Sequence, residues 1–165
     1  MLLAVLLLAA PGFARAGGMK LDSPDFEDGK TIPARYTCQG LDISPRLTFS
    51  GVPAGAKSLT LVVEDPDAPG GTFTHWIVWN IPPKNMRLGE GGRAPEDAVE
   101  GTNDFGNVGY GGPCPPSGTH RYFFQLSALD TVLALKPGAS RKDFDAAIKG
   151  HILTQAEYMG RCSKN

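Results

Sequence analysis

A chain that must turn as often as this one cannot be built from long helices. Its 165 residues include 21 glycines and 14 prolines, spread along the whole length rather than gathered in one tract. Glycine opens backbone conformations closed to other residues, and proline fixes φ and removes a donor, so both interrupt regular elements. Many short strands tolerate that spacing. The runs between the turn residues agree. Residues 46–49 follow Ser44-Pro45 as a short strand, and residues 58–63 place Leu59, Leu61 and Val63 on one face. Over residues 73–81, Phe73, His75, Ile77 and Trp79 alternate with Thr74, Trp76 and Val78, and residues 121–126 form a third strong strand. Residues 86–103 are polar and unpatterned, which predicts a long surface loop.

Helical signals come last. Ser140 followed by Asp143 resembles a capping box ahead of Phe144, Ala147 and Ile148. Ile152, Ala156 and Met159 suggest a second short helix closed by Gly160. Strands first and helices last imply a sheet core covered by terminal helices, not βαβ alternation.

The first 16 residues stand apart. Leu2 to Ala10 is an unbroken apolar run, too short to span a bilayer, and Ala14-Arg15-Ala16 suits signal peptidase. Residues 1–16 are therefore expected to be a signal peptide and residues 17–165 one domain, in the periplasm or secreted. A mis-assigned start codon would instead leave a cytoplasmic protein. The formal net charge of −1 becomes −2 when Arg15 leaves with the leader, and no basic run occurs. Nucleic acid is then a poor partner, and no second apolar segment offers a membrane span. Cys38, Cys114 and Cys162 fit no zinc spacing. Cys38 and Cys114 both lie in loop-like sequence and are the preferred disulfide; three free thiols are the alternative.

Chemistry-bearing residues concentrate in two segments. One is Asp65-Pro66-Asp67-Ala68-Pro69 with His75-Trp76 shortly after it; the other runs from Gly109 to Tyr122 through Gly112, Cys114 and His120. Several motif readings fail. Asp65-x-Asp67 begins like a calcium loop, but Pro69 and Trp76 stand where ligands are needed. Gly109-x-Gly111 leads into no helix, so it is not a dinucleotide fingerprint. Pro115 stands where a nucleophile elbow requires glycine ahead of Ser117. Two histidines with two aspartates do not have diagnostic metal spacing, and no cofactor is expected.

The two segments, read in order, resemble the phosphatidylethanolamine-binding protein family, in its bacterial and archaeal Raf-kinase-inhibitor-like branch. Asp42-Ile43-Ser44-Pro45, Gly101-Thr102-Asn103-Asp104-Phe105-Gly106, Ala128-Leu129-Asp130 and Gly150-His151 extend the match over about the whole mature chain. The resemblance implies a mainly β fold: a central antiparallel sheet, a second smaller sheet, Greek-key connections and short C-terminal helices. It implies a cavity at one end of the sheet for phosphate, a phosphoryl head group or a small carboxylate. Asp65 and Asp67 would line it, His75 and His120 would face it, Tyr122 would offer a hydroxyl and Gly112 a backbone N–H. Relatives end with a tyrosine near Cys162, where this chain has Arg161-Cys162-Ser163, so Tyr158 is the candidate pocket lid. If Asp65 accepts from a histidine N–H it favours the imidazolium, which would then bind the anion.

The leading expectation is a small-ligand or regulatory binding protein, with a phospholipid head group or a protein of protease or kinase class as partner. Export argues against a kinase. The alternative is an enzyme using a His/Asp pair for acid–base chemistry on a phosphoester, for which no nucleophile or metal is evident. Asp65 and His75 could also do no more than pin two loops together. Trp76 reads better as core, and His151 as structural.

Overall fold

The computed structural model describes residues 18–92, 95 and 97–164. The expected signal peptide at 1–16 lies outside them. Two antiparallel sheets form the molecule. The smaller runs β1-β2-β5, from β1 (Lys20–Asp22), β2 (Leu47–Ser50) and β5 (Arg87–Leu88). The larger runs β6-β4-β3-β7-β8. Its strands are β3 (Ser58–Asp65), β4 (Phe73–Ile81), β6 (Val99–Glu100), β7 (Thr119–Leu129) and β8 (Ile152–Ser163). After β4 the chain makes a long excursion and returns as β7 on the far side of β3, the Greek-key step that the family resemblance implies.

Both faces of the large sheet are covered, which is why β3 and β4 are almost continuously buried. Leu59, Leu61, Val63, Trp76 and Val78 pack toward the small sheet, against Leu47 and Phe49. Val62, Ile77 and Trp79 face the other way, against Leu133 and Phe144. The alternation read from the sequence therefore sorts these residues into two core layers. Phe144 comes from α1 (Arg141–Ile148), whose start is fixed as expected: the Asp143 amide donates to Ser140 Oγ and that hydroxyl donates back to Asp143 Oδ2. Among the described residues, no helix is long and apolar enough to cross a membrane.

Two expectations need correction. The segment 152–160 is not a helix; it is most of β8, a 12-residue strand paired along the length of β7. Ile152 and Ala156, spaced by four, suit a helix face and a strand face equally, and Met159, three further on, suits the helix alone. The pairing with β7 decides between them, and Tyr158, Gly160 and Cys162 then alternate inward. Gly160 is thus no helix cap. A Cβ there would come within 2.3 Å of Ile32 Cγ1 and 2.8 Å of Phe26 Cε2, so the missing side chain is the space those two fill. The expected loop at 86–103 also carries β5 and β6. Each is two residues long, too short for a period to show in sequence.

Cys38 and Cys114 form a disulfide across a separation of 76 residues, and Cys162 is free and buried. Closing so long a loop contributes about 4 kcal/mol on the chain-entropy model.

Gly160→Ala should lower the unfolding free energy by about 1–3 kcal/mol, the usual cost of overpacking a core. Trimming the neighbour in the double variant Gly160→Ala/Ile32→Val should recover part of that loss. Urea titration of the two variants beside the single Ile32→Val checks this, and strictly additive losses would contradict the contact.

Candidate functional site

At one end of the large sheet, the last residue of β3 (Asp65), the first of β4 (Phe73) and the first turn of β7 (His120 and Tyr122) come together. The local backbone explains how His75 joins them. Val63 pairs with Trp76 and Glu64 with Thr74, so β4 carries one residue more than β3 between those pairs, and that residue is His75. A bulge of this kind re-aims its side chain. The excursion after β4 then lies along the outer edge of that strand. The Gly111 amide donates to the His75 carbonyl, the Asp104 amide to the Thr74 carbonyl, and the Thr74 amide to Asp104 Oδ2. His75 Nδ1 donates to the Gly111 carbonyl at 2.7 Å, closing a two-bond clamp. Gly111 must be glycine here, because a Cβ would meet the Phe105 ring at 2.6 Å.

Asp65 is 3% exposed, and each of its oxygens takes one protein donor. Its Oδ1 accepts the Asp67 amide at 2.8 Å, and its Oδ2 accepts His120 Nδ1 at 2.7 Å. His75 packs edge-on against Phe105 and Tyr122, with Phe73 tilted beside it at 5.0 Å. Burial pushes the His75 pKa below its ordinary value; the Gly111 carbonyl, Asp65, the Gly112 backbone and Asp104 pull it back only in part. His75 is therefore neutral near pH 7, with its proton on Nδ1 and a lone pair on Nε2.

A cavity of about 210 Å³ opens here, lined by Asp65, Ala68, Pro69, Phe73, His75, Phe105, Cys114 and Pro116. Of the residues singled out from sequence, Asp65 and His75 line it. His120 stands behind Asp65. Tyr122 lies against His75, fully buried, its hydroxyl without a hydrogen-bond partner among the described residues and its pKa raised by burial. The other three are placed differently. Asp67 takes two hydrogen bonds from the Arg121 guanidinium and one from the Arg121 amide, which together hold its carboxyl well below the usual range. The Gly112 amide donates to Asp42 Oδ1 at 2.6 Å, so it is not a free donor for a ligand. Tyr158 packs on Phe26 and donates its hydroxyl to the Phe26 carbonyl, away from the cavity walls.

Sequence reasoning did not single out the apolar walls. Ala68 and Pro69 lie inside the acidic motif, Phe73 shares the strand face of His75, and Cys114 and Pro116 sit in the proline-rich loop. Each was legible as a neighbour of a polar site residue. Phe105, 47% exposed, carried no period and could be placed only through the fold. Among the described residues, no group of three or more His, Cys, Asp or Glu could hold a metal ion.

The family model for phosphatidylethanolamine-binding protein matches residues 22–163. The chain belongs to the phosphatidylethanolamine-binding protein family. It is similar to a UPF0098 protein of Methanothermobacter thermautotrophicus, 53% identical over 146 residues that cover 86% of this chain and 97% of that one. A UPF0098 protein of Aquifex aeolicus is 51% identical over 153 residues, covering 88% and 90%. A crystal structure from Chlamydia trachomatis, described as a phosphatidylethanolamine-binding protein homologue, has a TM-score of 0.86 at 46% identity, covering 90% of this chain and 99% of that one. Escherichia coli YbcL, described as a new member of the mammalian family, gives 0.84 at 33% identity, covering 90% and 100%. Membership makes this a ligand-binding protein of the phosphatidylethanolamine-binding protein fold.

The depressed His75 pKa has a consequence for stability. Between that value and about 6.5, the unfolded chain holds more protons at this position than the native state. His75 therefore contributes fully above about pH 6.5 and withdraws stability as the pH falls through the window. In urea titrations at pH 7 and pH 5, His75→Gln should lose less stability on acidification than the parent. An equal or larger loss in the variant would contradict a neutral buried His75.

Proposed function

We propose that this cavity binds the acid group of a small anionic ligand, a phosphate, phosphoryl head group or small carboxylate, with the organic remainder on the apolar walls. The observation that carries the reading is the pairing of Asp65 and His75 in an otherwise apolar cavity. Small-molecule sites are typically hydrophobic clefts with a few fixed polar groups, and both of these are fixed, by His120 and by Gly111. The polar pair would orient the acid group, while Phe73, Phe105 and Pro69 would pack against an alkyl or aromatic substituent.

Residues 17–165 are proposed to act as one exported domain, in the periplasm or outside the cell. The Cys38–Cys114 disulfide supports this, because such bonds persist in oxidising compartments.

Phenyl phosphate is a suitable probe, since it joins a phosphoryl group to a flat apolar ring. Calorimetric titration should saturate at one site per chain, and no phenol should be released on long incubation. Phenol release would move the reading to hydrolysis, for which His120 and Asp65 would be the acid–base pair. Asp65→Asn should weaken phenyl phosphate binding about tenfold or more, in line with the roughly 1.5–3 kcal/mol of a charge-assisted hydrogen bond. Asp67→Asn and Tyr158→Phe, which alter residues away from the cavity walls, should leave the affinity within about twofold (roughly 0.4 kcal/mol). A thermal melt of each variant separates a lost contact from a lost fold.

A further inference from the structure

The polar side-chain atoms of the lining residues, on Asp65 and His75, are acceptors, and that is an unusual way to meet an anion. Asp65 uses one lone pair of each oxygen on protein donors, Asp67 N–H and His120 Nδ1–H, and what it has left can only accept. His75 Nδ1 is tied to the Gly111 carbonyl, which leaves Nε2 as the other ring nitrogen. With the proton on Nδ1, Nε2 accepts as well. The Gly112 amide, a donor that would have suited a bare anion, is already bonded to Asp42. The charged and titratable groups around His75 are few: Asp65 at the end of β3, Asp104 from the segment along β4, and Tyr122 with His120 from β7. Both acids oppose a second negative charge. Among the described residues no arginine or lysine lines the cavity, and Arg121, the cation nearest in sequence, is paired with Asp67.

We infer that the pocket recognises its ligand through the ligand's own acidic O–H, and so takes phosphate monoesters in their singly protonated form while rejecting sulfate esters and phosphodiesters. The inference rests on the proposed ligand pocket and narrows it. A phosphate monoester keeps one proton up to a second pKa of about 6. In that form it donates to Asp65 or to His75 Nε2 and carries a single negative charge. Above that pH it offers no donor and brings two charges against Asp65. A sulfate monoester or a phosphodiester also carries a single charge, but it has no proton to give at any pH near neutrality. Each would leave the Asp65 lone pairs facing an anion with nothing between them, which is the costly arrangement for a buried acceptor. Discrimination by a hydrogen-bonded site against an analogue lacking the hydroxyl can be large. The same rule separates two sources of one head group. Phosphoethanolamine is a monoester and fits, whereas glycerophosphoethanolamine, the diester of an intact lipid head, does not.

The test uses the oxidised full domain and four probes: phenyl phosphate with phenyl sulfate, and phosphoethanolamine with glycerophosphoethanolamine. Each is titrated between pH 5.5 and pH 8. The expected result is that both monoesters bind at pH 5.5–6 at least about tenfold tighter than their partners (roughly 1.4 kcal/mol), and that their affinity falls as the pH passes the ligand's second pKa. Asp65→Asn provides a second arm, because its amide can donate. It should lose the preference, binding phenyl phosphate more weakly and phenyl sulfate more strongly than the parent does. Should that variant fail to fold, the pH profile of the parent still decides. Equal binding of phenyl sulfate and phenyl phosphate, or monoester affinity that does not change up to pH 8, overturns the inference but leaves the pocket standing. Absence of binding by both monoesters at every pH overturns the pocket as well.

Discussion

A buried carboxylate has to find hydrogen-bond donors, and the end of the large sheet is arranged around that demand on Asp65. It ends β3, where the strand gives way to Pro66, and its oxygens take one donor from the next loop and one from β7. Those two bonds tie three pieces of chain: the strand, the 65–69 turn and the start of β7. Leaving such a group unpaired costs several kcal/mol, so His120 and the turn are held as firmly as Asp65 itself. Arg121, next to His120, then fixes Asp67 from the outer side. The rigidity that a ligand would meet at the cavity floor is the same rigidity that makes Asp65 tolerable in the fold.

The opposite wall depends on a second requirement, that the edge of β4 be covered. An uncovered edge leaves backbone donors and acceptors unpaired. The segment from Gly101 to Gly111 supplies partners for Thr74, His75 and Ile77, and in doing so it brings Phe105 over the cavity. Cys114 continues from there as wall and anchor at once, since its partner Cys38 follows the turn at Ala34–Tyr36. The Cys38 amide also donates to the Pro113 carbonyl. Edge coverage, histidine orientation and the disulfide are thus one continuous construction of backbone bonds.

What could be read in the sequence follows from the length over which a pattern runs. β3 and β4 are long and buried on both faces, and β7 is longer still and buries alternate residues over its first half, so their apolar residues repeat often enough to be recognised. The Ser140–Asp143 cap is a local device and was legible for that reason. β8 was misread because Ile152 and Ala156 satisfy two periods and its inward residues include a glycine, which has no side chain to mark the face. β5 and β6 are two-residue pairings that exist only because a neighbour is there. At the site, Asp65 and His75 were visible as polar residues bordering strong strands. That Gly112 serves Asp42, that Asp67 serves Arg121 and that Tyr158 serves Phe26 are facts of distant pairing, with separations of 54 residues or more. No local pattern encodes them.

The two histidines show how much such pairings matter to function. In sequence they are alike, each on a strand beside an aromatic residue, and the simplest expectation makes both of them cations for an anion. Their Nδ1 partners separate them. His120 meets the carboxylate of Asp65 and stands behind it rather than in the cavity. His75 meets a neutral carbonyl among aromatic rings, so it reaches the cavity without its charge. The fold has placed the carboxylate-paired histidine outside the cavity lining and the accessible one in apolar surroundings. On the reading proposed above, a ligand entering here would meet lone pairs, and the proton between ligand and protein would have to arrive with the ligand.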